Sequence, residues 1–286
     1  MESNSNPNSE EPARNWLELP ADTTSMILMK LGAVDILSNA QIVCSLWRKI
    51  CYDPLMWRVV DMRNLDDSLD MDKDLEKMCM QAVDRSCGQL VDINIERFGT
   101  DELLHYIAQS SNQLRRLRLV YCHDISGKGL AEAVPKLPLL EDLEIFFSFD
   151  SFDMETLKTV GRCCPLLNSL KLHNRNCKGP RLMGCDEEAL AIAENMPNLR
   201  HLGIFSNSLT DLGLQAILDG CPYLESLDLR HCLNLNLGGQ LEKKCSKRIK
   251  SLQLPYDPID DCDLYDNLYI DSDYEEFLRG TSIYGQ

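Results

Sequence analysis

No apolar run in this sequence approaches the roughly 18 residues that a membrane-spanning helix needs. Cations are the scarcer charge: Lys and Arg number 29 against 45 Asp and Glu, for a formal net charge of −16. That deficit opposes a non-specific nucleic-acid binder, which carries a basic face, and it opposes electrostatic docking on anionic membranes. No Asn-x-Ser/Thr acceptor occurs, and the opening residues, rich in Asn, Ser and Glu, hold no apolar segment of the secretory kind. The 13 cysteines therefore read as reduced packing thiols of a nuclear and/or cytoplasmic protein, not as a disulfide framework.

Signatures of catalysis are missing too. The sequence has no Gly-x-Gly-x-x-Gly, P-loop, Gly-x-Ser-x-Gly or His-Glu-x-x-His. Cys163-Cys164 lacks Cys-x-x-Cys spacing, and the five histidines are scattered. No catalytic residue, metal ligand or cofactor is assigned, and the expectation is a non-enzymatic chain.

What is present is a repeated phrase, Leu-x-x-Leu-x-Leu. It occurs as Leu114–Leu119, Leu140–Ile145, Leu167–Leu172, Leu199–Ile204, Leu224–Leu229 and Ile249–Leu254, with a looser copy at Leu90–Ile95. Successive first positions lie 24, 26, 27, 32, 25 and 25 residues apart. Such a period is the mark of a leucine-rich repeat solenoid. The Leu-x-Leu core alternates with period 2 and predicts a short strand. The stretch after it predicts a helix, as in 211–218 with Thr210 as N-cap. Pro138, Pro165, Pro197 and Pro222 each precede a first leucine by two residues and reset the chain from helix to strand. The expected fold is an α/β solenoid with parallel strands on the concave face and helices on the convex face. The 32-residue interval carries a basic insertion at 174–185, read as a mobile or a recognition loop.

Alternation turns the residues beside the strand leucines into the concave surface. These are Asp92, Asn94 and Glu96; Arg116 and Arg118; Asp142, Glu144 and Phe146; Ser169, Lys171 and His173; His201, Gly203 and Phe205; Ser226, Asp228 and Arg230. Charge sign changes from repeat to repeat, so neighbouring strands can pair opposite charges. Two readings stay open: a self-neutralising ladder, or a partner-binding surface with Phe146 and Phe205 as exposed apolar anchors.

Ahead of the repeats, Pro20 and Asp22 start a helix with an apolar stripe at Ile27, Leu28 and Leu31, and Gly32 stops it. Further short helices follow around Val43 and Trp47, and Asp53-Pro54 ends them. So small a unit buries little apolar surface alone, and Trp47 and Trp57 suit a core or an interface.

Leu19-Pro20, Ile27-Leu28-x-x-Leu31, Asp35, Val43-Cys44-x-x-Trp47-Arg48 and Trp57, in that order, resemble the F-box. With the repeats behind it, the chain resembles plant-type F-box/leucine-rich-repeat proteins over about residues 16–254. It departs at Thr23, where the family carries an aliphatic residue, and at Met26, a position often acidic. The resemblance implies a substrate-recognition subunit of a Skp–cullin–F-box ubiquitin ligase. Leu19, Pro20, Ile27, Leu28, Leu31, Ile36, Val43, Cys44 and Trp47 match positions that face or support the Skp-type adaptor, and through it come cullin and RING subunits. The repeats would hold an unknown protein substrate. The alternative is an interaction scaffold, unconnected with ubiquitin ligation, whose helices only cap the solenoid.

The expected organisation is a disordered 1–15, an F-box at 16–61, repeats at 62–254 and a disordered acidic tail at 255–286. Nine acids and no Lys or Arg fall between Asp257 and Glu276. They lack the glycine and final glutamate of an EF-hand loop. The run Lys243–Lys250 reads as a nuclear address or as the cationic end of the last helix.

Overall fold

The computed structural model of the chain describes residues 19–63, 72–148, 153–174 and 184–258. The expectations for 1–15, for most of the 174–185 insertion and for the tail beyond Pro258 lie outside these residues.

The N-terminal unit opens with helix α1 (Ala21–Leu28), started by Pro20 in extended geometry. Helix α2 (Ala33–Asp35), a π-type turn (Ile36–Ala40) and α3 (Gln41–Val43) run on from one another. Extended Cys44 breaks the run, and its Sγ accepts the Trp47 N–H at 3.5 Å to start α4 (Ser45–Cys51). A 3-10 turn, Pro54–Trp57, is capped by the Asp53 carboxylate on the Leu55 N–H. Trp57 is 1 % exposed and donates its indole N–H to the Cys51 carbonyl at 2.9 Å.

Eight strands follow in one parallel sheet, in sequence order. They are β1 (Val59–Met62), β2 (Asp92–Glu96), β3 (Arg116–Val120), β4 (Asp142–Ser148), β5 (Ser169–Asn174), β6 (His201–Phe205), β7 (Ser226–Asp228) and β8 (Ser251–Gln253). Register places the repeat leucines in a row: Val60, Ile93, Leu117, Leu143, Leu170, Leu202, Leu227 and Leu252. All but the last are buried, and each leucine of this kind contributes about 1.5–3 kcal/mol. β1 has no leucine phrase; it straddles the expected 61/62 boundary and joins the first unit directly to the sheet.

Helices α5 (Asp72–Arg85), α6 (Asp101–Ser110), α7 (Gly127–Ala133), α8 (Met154–Cys163), α9 (Glu187–Asn195), α10 (Asp211–Gly220) and α11 (Gln240–Arg248) alternate with the strands. Thr210 caps α10 through the Leu212 N–H. Five joints from helix to strand share one geometry. Ser111, Leu137, Cys164, Met196 and Cys221 are all buried, with φ between −110° and −137° and ψ between 54° and 76°. Each carbonyl accepts the N–H of the next first leucine, for instance Leu167 at 3.1 Å. Four of these joints precede a proline, which excludes continued helix.

Carboxylates lock neighbouring repeats. Asp101 accepts the Ser126 N–H at 2.8 Å and its hydroxyl at 2.6 Å, and Asp186 does the same for Thr210 at 2.7 Å each. Gly129 and Gly213 pass so close that an added Cβ would sit 1.9 and 2.3 Å from those carboxylates. At the end of the array Arg248 donates to the Leu218 and Cys221 carbonyls, satisfying the end of α10.

Every cysteine among the described residues is a free thiol. Burial pushes Cys79, Cys122 and Cys164 up to about 12 and Cys221 up to about 11, as suits packing groups.

Candidate functional site: the F-box surface and the concave sheet

The F-box sorts its apolar residues sharply. Leu28, Ile36, Leu37, Ala40 and Met56 are buried, which uses up the interior of so small a unit. Met26, Met29, Leu31, Ile42, Val43 and Leu55 are left in water, Ile42 at 77 % and Val43 at 59 % exposure. Of the residues matched to adaptor contact, Pro20, Leu31 and Val43 are exposed, and Leu19, Ile27, Cys44 and Trp47 are half-buried. Leu28 and Ile36 are in the core at 0 % and 4 % exposure. Any role they have is support, because the inner side of α1 and the π-type turn must close over Trp57 and its neighbours. The departing positions Thr23 and Met26 both face solvent. Sequence reading passed over Ile42, Met29 and Leu55, which no helical stripe singles out.

Arg85 ties this unit to the solenoid. Its guanidinium lies 4.2 Å over the Tyr52 ring and 5.4 Å over the Trp57 ring, and donates to Gln41 Oε1 at 2.8 Å. Three contacts on one planar cation fix the F-box against α5.

On the concave side, the charge ladder is paired. Arg116 meets Asp92 at 2.8 Å, and Glu144 takes Arg118 at 3.2 Å and Lys171 at 3.1 Å. Asn94 donates to Asp61 at 3.2 Å. One edge further, Glu225 takes both Arg200 and Lys250 at 2.6 Å, and hydrogen bonds from these two hold its carboxyl below the usual range. Arg116, Lys171 and His201 are exposed, and Arg118, Asp142, Glu144 and Asp228 are half-buried.

The expected aromatic anchors are not exposed. Phe146, His173, Phe205 and Arg230 are buried at 5 %, 6 %, 4 % and 3 % exposure. Phe146 and His173 lie with ring centres 3.8 Å apart, His173 and Phe205 stack at 5.2 Å, and Phe205 meets His231 at 4.8 Å. Alternation correctly sends these side chains out of the sheet, but the chain then folds over them. The next residues, Arg97, Tyr121, Ser206 and His231 in their repeats, take left-handed φ of 77°, 54°, 58° and 60°. Each donates its N–H to the following repeat, as Tyr121 does to the Phe146 carbonyl at 2.9 Å. The turn re-aims the rim, and the rings cover one another. Burial holds His173 well below the ordinary histidine range, and Lys171, Arg230 and Arg118 add to the effect. Arg230 grips Asp228 by two nitrogens, at 3.0 and 2.8 Å.

Among the described residues no group of three or more His, Cys, Asp or Glu could hold a metal ion, and no helix is long and apolar enough to cross a membrane.

Comparison with known proteins gives five results. The family described as F-box-like matches residues 16–63. That described as FBD-associated F-box protein At5g56370, LRR repeats, matches residues 181–266. The chain is 54 % identical over 250 residues to F-box protein SKIP19 of Arabidopsis thaliana, across 87 % of this chain and 80 % of that protein. It is 51 % identical over 251 residues to Putative F-box/LRR-repeat protein 23 of the same plant, across 86 % of this chain and 55 % of that protein. Of solved structures, one described as Rad7 and Elc1 complex in yeast superposes with a TM-score of 0.41 at 14 % identity, across 75 % of this chain and 55 % of that chain.

Proposed function

The chain belongs to the F-box/leucine-rich-repeat family, and from that premise we propose that it is the substrate-recognition subunit of a Skp–cullin–F-box ubiquitin ligase. The F-box docks a Skp-type adaptor, itself joined to cullin and RING subunits. The concave sheet holds a protein substrate. The chain performs no bond chemistry; it raises the effective concentration of substrate beside the charged E2.

The observation that carries this reading is the exposure of Ile42, Val43, Leu31 and Met26 on a unit whose interior is already full. A cap needs apolar residues only on the side that meets the solenoid, and Trp57, Met56 and the Arg85 clamp supply that side. Apolar side chains left on the other side favour a protein partner. Capping is thus a second role of the same unit, not a rival to docking.

Co-expression with a Skp-type adaptor tests the proposal. The wild-type pair is expected to co-purify as a 1:1 complex, and Val43→Asp to abolish it while the chain keeps its urea midpoint. An adaptor that ignores the folded wild-type chain would leave only the scaffold reading.

A further inference from the structure

The helix layer changes its packing at the end of the array. Between α8, α9 and α10 the backbones touch. A Cβ added at Gly161 would sit 2.6 Å from the Asn195 carbonyl oxygen, and one at Gly220 would sit 2.3 Å from that of Ala193. Helices this close leave no groove between them. α11 instead stands off from α10, and long side chains bridge the gap. Lys244 reaches Asp219 at 2.6 Å, and Arg248 crosses to the Leu218 and Cys221 carbonyls. Between the two helices lies an open cavity of about 530 Å³, lined by Gln215 of α10 and by Gln240, Leu241, Lys243, Lys244 and Lys247 of α11.

Three lysines line this cavity and no carboxylate does, in a chain of net charge −16. The cations of this helix and its exit divide into two sets. Lys244, Arg248 and Lys250 are spent on Asp219, on the carbonyls at the end of α10 and on Glu225. Lys243 and Lys247 are exposed, one turn apart, and meet no hydrogen-bond or ion-pair partner among the described residues. The fold does not use their charge.

We propose that this groove binds an extended acidic segment of a partner protein. Side chains at i and i+4 stand about 6 Å apart on a helix, and same-side residues of an extended chain stand about 7 Å apart. Alternate acids of one segment therefore reach Lys243 and Lys247 together. Gln215 and Gln240 carry donors and acceptors both, as a peptide backbone does. Gln215 Nε2 donates to Asp219 at 2.6 Å, which leaves its carbonyl for an incoming N–H. A polyphosphate only accepts and would leave those glutamine carbonyls unmatched. The negative charge elsewhere on the chain repels long polyanions such as nucleic acid, whereas a short segment meets only the local field. The inference does not depend on the ligase reading, because the groove lies in the helix layer, apart from the F-box and the concave sheet.

The full chain is titrated with a fluorescein-labelled dodecapeptide of alternating Glu and Ala. The wild type is expected to bind it, with affinity falling as salt rises, since exposed ion pairs are screened. Lys243→Glu with Lys247→Glu is expected to weaken binding about tenfold at an unchanged urea midpoint, and the milder Lys243→Gln with Lys247→Gln about threefold. Lys30→Glu with Lys49→Glu makes the same change of charge at two exposed positions of the F-box and is expected to leave the affinity unchanged. Inorganic tripolyphosphate at the concentration of the peptide is expected not to displace it. Absence of binding by the wild type, equal losses from the two charge-reversed pairs, or displacement by tripolyphosphate would each overturn the proposal.

Discussion

The F-box and the concave sheet both offer themselves to partners, yet they manage their surfaces in opposite ways. The F-box leaves apolar side chains in water and spends its few polar contacts on holding its own shape and its seat on α5. The concave sheet pairs most of its charges: carboxylates are shared between cations, and its aromatic row is stacked and buried. The first arrangement suits a constant partner recognised by shape, since burying apolar area is favourable with little directional demand. The second suits discrimination, because a ligand must replace interactions that the sheet already makes.

The largest effect that sharpens this contrast is expected inside the F-box. Leu28→Ala should destabilise the chain by about 3 kcal/mol, as for other fully buried leucines, whereas Val43→Asp on the same unit should change stability by less than about 0.5 kcal/mol. Urea midpoints of the two variants check this. If Val43→Asp proves the more destabilising, Val43 belongs to the core and the division drawn here collapses.

Within the concave sheet the same contrast recurs at smaller scale. Arg230→Met strands the Asp228 carboxylate in a nearly closed environment and should cost about 2 kcal/mol. Arg116→Gln removes an ion pair whose arginine side chain is 60 % exposed, and should cost less than about 1 kcal/mol. Equal losses at the two positions would mean that burial does not grade this ladder.

Much of this was legible in the sequence, and the gaps have physical causes. Seven strands and their register follow from the leucine phrase, because period-2 alternation and a phrase that returns every 24 to 32 residues leave no other pairing. Thr210 is recognisable as a cap from its position before the apolar helix. β1 was not visible, since four residues of Val-Val-Asp-Met make no repeat by themselves and are selected by pairing with β2. The aromatic row was placed on the correct side but wrongly exposed. Left-handed backbone at Tyr121, Ser206 and His231 is imposed by bonds to the next repeat, and none of these residues is glycine. Nor did spacing alone announce the Asp101–Ser126 and Asp186–Thr210 locks, though Gly129 and Gly213, each three residues after the capping hydroxyl, were the available clue.

The roofed aromatic row also gives the concave sheet a pH dependence that the F-box does not share. His173 is kept neutral in the folded chain, while the unfolded chain takes up a proton below about pH 6.5. The unfolded state therefore binds more protons in that range, so the stabilising contribution is complete above pH 6.5 and is lost as pH falls. Urea midpoints at pH 7.5 and 5.5 should show the loss in the wild type and a smaller one in His173→Phe, whose ring keeps the stack. An unchanged pH difference in that variant would assign the effect elsewhere.

A modest effect of opposite sign is expected at a helix-to-strand joint, where Ser111 breaks the habit of its equivalents. Leu137, Cys164, Met196 and Cys221 fill this buried position with apolar or thiol groups, and the two thiols reach the joint carbonyl of the repeat before, at 3.7 and 3.6 Å. The Ser111 hydroxyl is fully buried and meets no hydrogen-bond partner among the described residues. A buried hydroxyl without a partner costs about 1–3 kcal/mol, part of which a thiol avoids because it desolvates more cheaply. Ser111→Cys should therefore stabilise the chain by about 1 kcal/mol, and Ser111→Ala should at least match the wild type despite its smaller volume. Urea midpoints decide the matter: a lower midpoint for both variants would show that the hydroxyl has a partner and that serine is the fitted residue at this joint.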